Sequence, residues 1–146
     1  MSHDHPIRVR QRFDAPVGRL FRAWSDPAQL ALWMWGSLGR SARAELDFRV
    51  GGALRVETAR PDGKTWSLSG TYTDIRQNER IIHTLSWDAP MGYPAAHEEL
   101  RAEFAAHGRG STIELLHTGV PDAKSAEAHR RGWLDVLETL AAHLER

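Results

Sequence analysis

The chain contains no cysteine. Disulfides, thiolate nucleophiles and Cys-ligated metals are therefore excluded, and a reducing compartment is compatible. There is no surplus charge of either sign, since Lys+Arg and Asp+Glu both total 19. Without a basic surplus no nucleic-acid partner is expected. Lysine itself is scarce, with only Lys64 and Lys124 among those cations. No apolar run approaches the roughly 18–20 residues that span a bilayer, so no membrane span is expected. The opening stretch MSHDHPIRVRQRF lacks a signal peptide's apolar centre, which makes the cytoplasm the expected location. GxGxxG, GxxxxGKS/T and HExxH are also missing, so neither a phosphate cradle nor a zinc helix is predicted. His3-Asp4-His5 offers two imidazoles, but in a terminus expected to fray. No cofactor and no metal are expected.

What is present is a globular composition, 41% hydrophobic and 26% charged over 146 residues. That suits one domain spanning residues 1–146 with a sizeable core. Tryptophan is abundant: six in all. Three of them, Trp24, Trp33 and Trp35, fall in WSDPAQLALWMWG at 24–36. Each indole brings an N–H that needs a partner.

The hydrophobic pattern orders the elements. IRVRQRF at 7–13 alternates apolar residues with Arg8, Arg10 and Arg12, as a half-buried strand does. Asp14 is a candidate N-cap for a helix carrying Leu20, Phe21 and Trp24. Asp26 and Pro27 restart the pattern as cap and first helical residue of a second short helix. Strands follow through ARAELDFRV, ALRVETAR, TWSLSGTYTDIR and RIIHTLSW, with turns at Gly51-Gly52 and PDGK at 61–64. DAPMGYPAA reads as a loop. HEELRAEFAAH admits helix or strand, and the GRGS turn leading into TIELLHT favours a strand hairpin. Trp133, Val136, Leu137, Leu140 and Leu144 mark a C-terminal helix of about 22 residues, roughly 33 Å long.

This order resembles the START-like, or SRPBCC, superfamily, and most closely its branch named after the activator of the Hsp90 ATPase. The pieces that carry the resemblance are FDAPVGRLFRAWSDPAQLALWMWG, DFRVGGALRV, GTYTDIRQNERIIHTLSW, STIELLHTGVP and RGWLDVLETLAAHL. The resemblance implies an α+β helix-grip fold. A curved antiparallel sheet of six or seven strands wraps the C-terminal helix, with two short helices after the first strand. It also implies a cavity between sheet and helix that holds an apolar small molecule of lipid, polyketide or aromatic type. It supplies no shared catalytic residues. A cyclase or dehydratase acting on a ketide, and a chaperone-stimulating interaction, are the other functions it allows.

Strand parity and helix spacing select the cavity lining. From the sheet come Phe48, Leu54, Val56, Trp66, Tyr72, His83, Leu85, Trp87, Phe104, Leu115 and His117. From the terminal helix come Trp133 and Leu137, and from the early helices Trp33 and Trp35. His83 and His117 share faces with apolar residues, so each reads as a core histidine or as a polar anchor for a ligand. Glu98 shares the face of Leu100 and Phe104 but starts its strand, where solvation is expected. His107, His129 and His143 read as surface residues. Gly132 interrupts a helix at a cost of about 1 kcal/mol, which either close approach of Trp33 or Trp35 or a small helix irregularity with no role would explain. An open strand edge leaves homodimerisation available, with Met34 and Leu38 as patch candidates.

Overall fold

A computed structural model describes residues 5–36, 41–59, 62–88 and 98–145. Leu38, Gly39, Pro61, most of the Pro/Gly loop after Asp88 and two residues of the His-Asp-His stretch lie outside them. Seven strands and three helices alternate along the chain. They are β1 (Ile7–Phe13), α1 (Val17–Ser25), α2 (Pro27–Trp33), β2 (Ser41–Leu46), β3 (Ala53–Ala59), β4 (Thr65–Arg76), β5 (Arg80–Asp88), β6 (Glu98–His107), β7 (Gly110–Thr118) and α3 (Ala123–Leu144). The strands form one antiparallel, curved open sheet in the order β1-β7-β6-β5-β4-β3-β2, and α3 packs across it. This is the α+β helix-grip architecture that the sequence implies.

Period-two alternation decides which strand residues face α3. In β1, Ile7, Val9 and Phe13 are buried while Arg8, Arg10 and Arg12 are exposed. In β6, Glu98, Leu100, Ala102 and Phe104 are buried. The ambiguous 97–107 segment is therefore a strand, and ten of its residues are in it. Gly51 and Gly52 form a turn that also lengthens the pairing with β4. Gly51 N–H donates to Tyr72 O at 2.8 Å, and Tyr72 N–H to Gly52 O at 2.9 Å.

Two aspartates cap helices, Asp26 as the sequence predicts and Asp122 at the start of α3. The Asp26 carboxylate accepts from Ala28 N–H at 3.1 Å with Pro27 in the first turn. Asp122 accepts from Ser125 N–H at 2.7 Å and starts α3. Asp14 does not cap α1. The N-cap position falls on Pro16, which has no side-chain acceptor, and its carbonyl accepts from Arg19 and Leu20 N–H.

The helices are fastened to one another and to the sheet edge. Arg19 donates to Leu144 O at 2.8 Å, and Arg130 to Arg8 O at 2.7 Å. His143 is half-buried rather than on the surface, with its Nε2 3.0 Å from Oε1 of Gln29 in α2. Close approach of α3 occurs at Gly36, not at Gly132. A Cβ on Gly36 would stand 2.5 Å from the Asp135 carboxylate and 3.3 Å from Val136 Cα, and its φ is +57°. A Cβ on Gly132 would meet nothing within 4 Å beyond its own helix.

Candidate functional site

The sheet's apolar inner face carries one buried carboxylate and two buried histidines. Glu98 opens β6, and His117 lies on the adjacent β7, where the register sets Leu100 opposite His117. Parity turns both side chains inward, and both are fully buried. His117 Nε2 lies 2.7 Å from Glu98 Oε1. On the other side of the ring, Trp133 Nε1–H from α3 donates to His117 Nδ1 at 3.0 Å. An indole N–H only donates, so Nδ1 must offer its lone pair. The ring proton therefore sits on Nε2 and is donated to Glu98. Trp87 Nε1–H reaches the same carboxylate oxygen at 3.3 Å. Side chains from four elements, β5, β6, β7 and α3, thus meet at one oxygen and one imidazole.

Aromatic rings surround this group. His129 on α3 packs edge-on against His117 at 4.8 Å between ring centroids and lies tilted against Trp87 at 5.7 Å. Trp87 in turn meets Trp35 at 6.1 Å, and Trp35 meets Trp66 at 6.4 Å. Burial pushes the His129 imidazole down to about 4, helped by the neighbouring His117 and opposed by Glu98. Farther along the sheet, burial also lowers His83 to about 4, although the Thr84 carbonyl partly offsets this by accepting from Nδ1 at 2.8 Å. Burial alone raises the Tyr72 phenol, whose ring packs edge-on against His83 at 5.9 Å. Among the described residues no cluster of three His, Asp or Glu side chains is arranged to hold a metal ion.

With this fold and inner face in view, the chain matches the family described as Activator of Hsp90 ATPase homolog 1-like protein over residues 14–145. The chain belongs to that family. Members share the SRPBCC-like fold, which commonly holds hydrophobic ligands. The protein CV1439 from Chromobacterium violaceum is similar at 30% identity and a TM-score of 0.82, with 97% of each chain covered. CalU16 from Micromonospora echinospora shares the fold at 23% identity and a TM-score of 0.72, covering 97% of this chain and 76% of that one. Among curated proteins, the uncharacterized protein C1711.08 of Schizosaccharomyces pombe is 27% identical over 118 residues, 79% of this chain. The chain spans only 30% of that relative's length. No helix of the described residues is long and apolar enough to cross a membrane.

Within this family fold the residues selected from the sequence separate into groups. Trp87, His117 and Trp133 join Glu98 and His129 in one contact group, Trp35 reaches it through Trp87, and Trp66 through Trp35. Phe48, Tyr72, His83 and Phe104 form a second aromatic row. There Phe48 meets Tyr72 at 5.1 Å, and Phe21 bridges Phe48 and Phe104. Leu54, Val56, Leu85, Leu115 and Leu137 are buried aliphatic core. Trp33 is fully buried at the α1–α2 junction, where its N–H donates to Ala23 O at 3.0 Å and its ring packs on Trp24 at 4.7 Å.

Two members of the cluster run against the sequence reading. Glu98 is not solvated: at 2% exposure it is among the most buried polar groups. Two N–H donors on one of its oxygens replace the water it gives up. His129 is not a surface residue but a half-buried partner of Trp87 and His117. Its signal was the spacing to Trp133, one helical turn later on the sheet-facing stripe.

Proposed function

We propose that this protein binds an apolar small molecule between the sheet and α3, against the indoles of Trp35, Trp66, Trp87 and Trp133. The observation that carries the reading is the linked row of aromatic rings, Trp66–Trp35–Trp87–His129, that ends on the buried, hydrogen-bonded pair Glu98–His117. That combination of broad apolar walls and few fixed polar atoms is what small-molecule sites use. Burying about 300 Å² of apolar ligand surface would contribute roughly 7 kcal/mol. Lost motion subtracts several kcal/mol, which leaves micromolar affinity.

The same geometry favours holding a molecule over proton transfer at His117. Both of its ring nitrogens are engaged, one by Trp133 and one by Glu98. A general base needs a lone pair directed at its substrate. The test is a panel of chain lipids, fused-ring aromatics and sterols, read by native mass spectrometry and tryptophan emission. At least one class is expected to be retained and to shift the emission. If no class does either, the proposal fails.

A further inference from the structure

The indoles of the inner face differ in what their N–H groups meet. Those of Trp33, Trp87 and Trp133 donate to Ala23 O, Glu98 and His117. Those of Trp24 and Trp35 are buried and meet no acceptor among the described residues. Buried donors are nearly always paired, so each exception calls for a cause. Trp24 lies deep in the core between Trp33 and Phe104. Trp35, 6% exposed, lies instead in the indole row, with Trp66 and Trp87 on either side. From it the contacts run through Trp87 to His129 on α3.

An indole N–H cannot accept, so its complement must bring an acceptor. The neighbouring walls are indole rings, Trp87 edge-on and Trp66 tilted, and an aromatic guest packs on indoles in either arrangement. Trp87, which touches Trp35, is itself bonded to the Glu98 carboxylate, so a carboxylate or phosphate there would face a like charge in a buried setting. We infer that the ligand is a neutral, flat aromatic molecule bearing a carbonyl oxygen, and that Trp35 Nε1–H is the donor that receives this oxygen. A plain hydrocarbon chain leaves that donor unmet. Trp35 is then the residue that selects oxygenated aromatics over lipids of the same apolar area. The inference rests on the binding role proposed above.

A matched pair of probes tests it: 9-fluorenone and fluorene share one tricyclic frame and differ in a carbonyl against a methylene. Calorimetry on the wild-type chain is expected to show fluorenone binding about tenfold tighter. Fluorenone alone should move the Trp35 indole cross-peak in a ¹H–¹⁵N spectrum, the peak being assigned by its loss in Trp35→Phe. In folded Trp35→Phe the two probes should bind equally. Should that variant not fold, incorporation of 3-benzothienylalanine at position 35 keeps the ring and removes only the N–H. Equal binding of both probes to the wild-type chain overturns the inference and leaves the binding role standing. Failure of both probes to bind, together with the wider panel, removes the role and the inference with it.

Discussion

Trp133 on α3 donates its indole N–H to Nδ1 of His117 on β7 across 3.0 Å, joining helix to sheet through one imidazole. The bond fixes the tautomer that Glu98 then reads from the other side. Replacing Trp133 with Phe keeps an aromatic ring and deletes the donor. The lost buried bond should cost about 1–3 kcal/mol, with a further cavity contribution from the smaller ring. Urea unfolding would measure the loss. Long-range ¹H–¹⁵N spectra of His117 should show the Nε2–H tautomer in the wild-type chain and a mixture in the variant.

Glu98 is the shared acceptor for His117 and Trp87. Glu98→Leu fills similar space but strands both N–H donors. The expected destabilisation is about 1–3 kcal/mol for each stranded donor. Glu98→Gln keeps a carbonyl oxygen and should fall between Leu and the wild type. A Leu variant as stable as the Gln variant would show that these bonds contribute little.

Acid should weaken the fold from about pH 6.5 downward. His83 and His129 are both held near 4 in the folded chain, against 6.5 when exposed. Between those values the unfolded chain takes up protons that the folded chain refuses. Stability is therefore complete above about pH 6.5 and declines as the pH falls toward 4. The full effect is up to roughly 3 kcal/mol for His83 and less for half-buried His129. Burial is the main cause at both, and Glu98 opposes it at His129. Denaturant midpoints at pH 7, 5.5 and 4.5 would follow the decline, and His83→Gln should flatten it.

Two glycines should respond in opposite directions. Gly132→Ala adds a methyl group into open space on a helix and should stabilise by about 0.5–1 kcal/mol. Gly36→Ala forces a positive φ on a side chain that also meets Asp135 and Val136, so it should destabilise by about 1 kcal/mol or more. Thermal melts of the two variants should bracket the wild type.

Much of this was readable from alternation alone. Strand parity selected His83, His117 and Trp87 as inward residues, and helix spacing selected Trp133. Parity also turned Glu98 inward. What parity lacks is the identity of the partners: a carboxylate in a strand reads as solvated until Trp87 and His117 are known to donate to it. His129 was hidden for a similar reason, since its neighbours come from β5 and β7. Gly132 stayed open to two readings because a helix glycine signals a missing side chain without saying what lies beyond it. Pro16 displaced Asp14 at the first cap because local turn geometry, not acceptor chemistry, set where α1 begins.

The pairing of β1 with β7 has a consequence for synthesis. Ile7 sits opposite His117, and α1 waits for the carbonyl of Leu144. A chain emerging from the ribosome N-terminus first presents its opening strand and the Trp-rich helices long before their partners exist. Trp24 and Trp33 can cover each other at once, but β1 stays an open edge until β7 has been made and Arg19 has no helix end to hold until α3 follows.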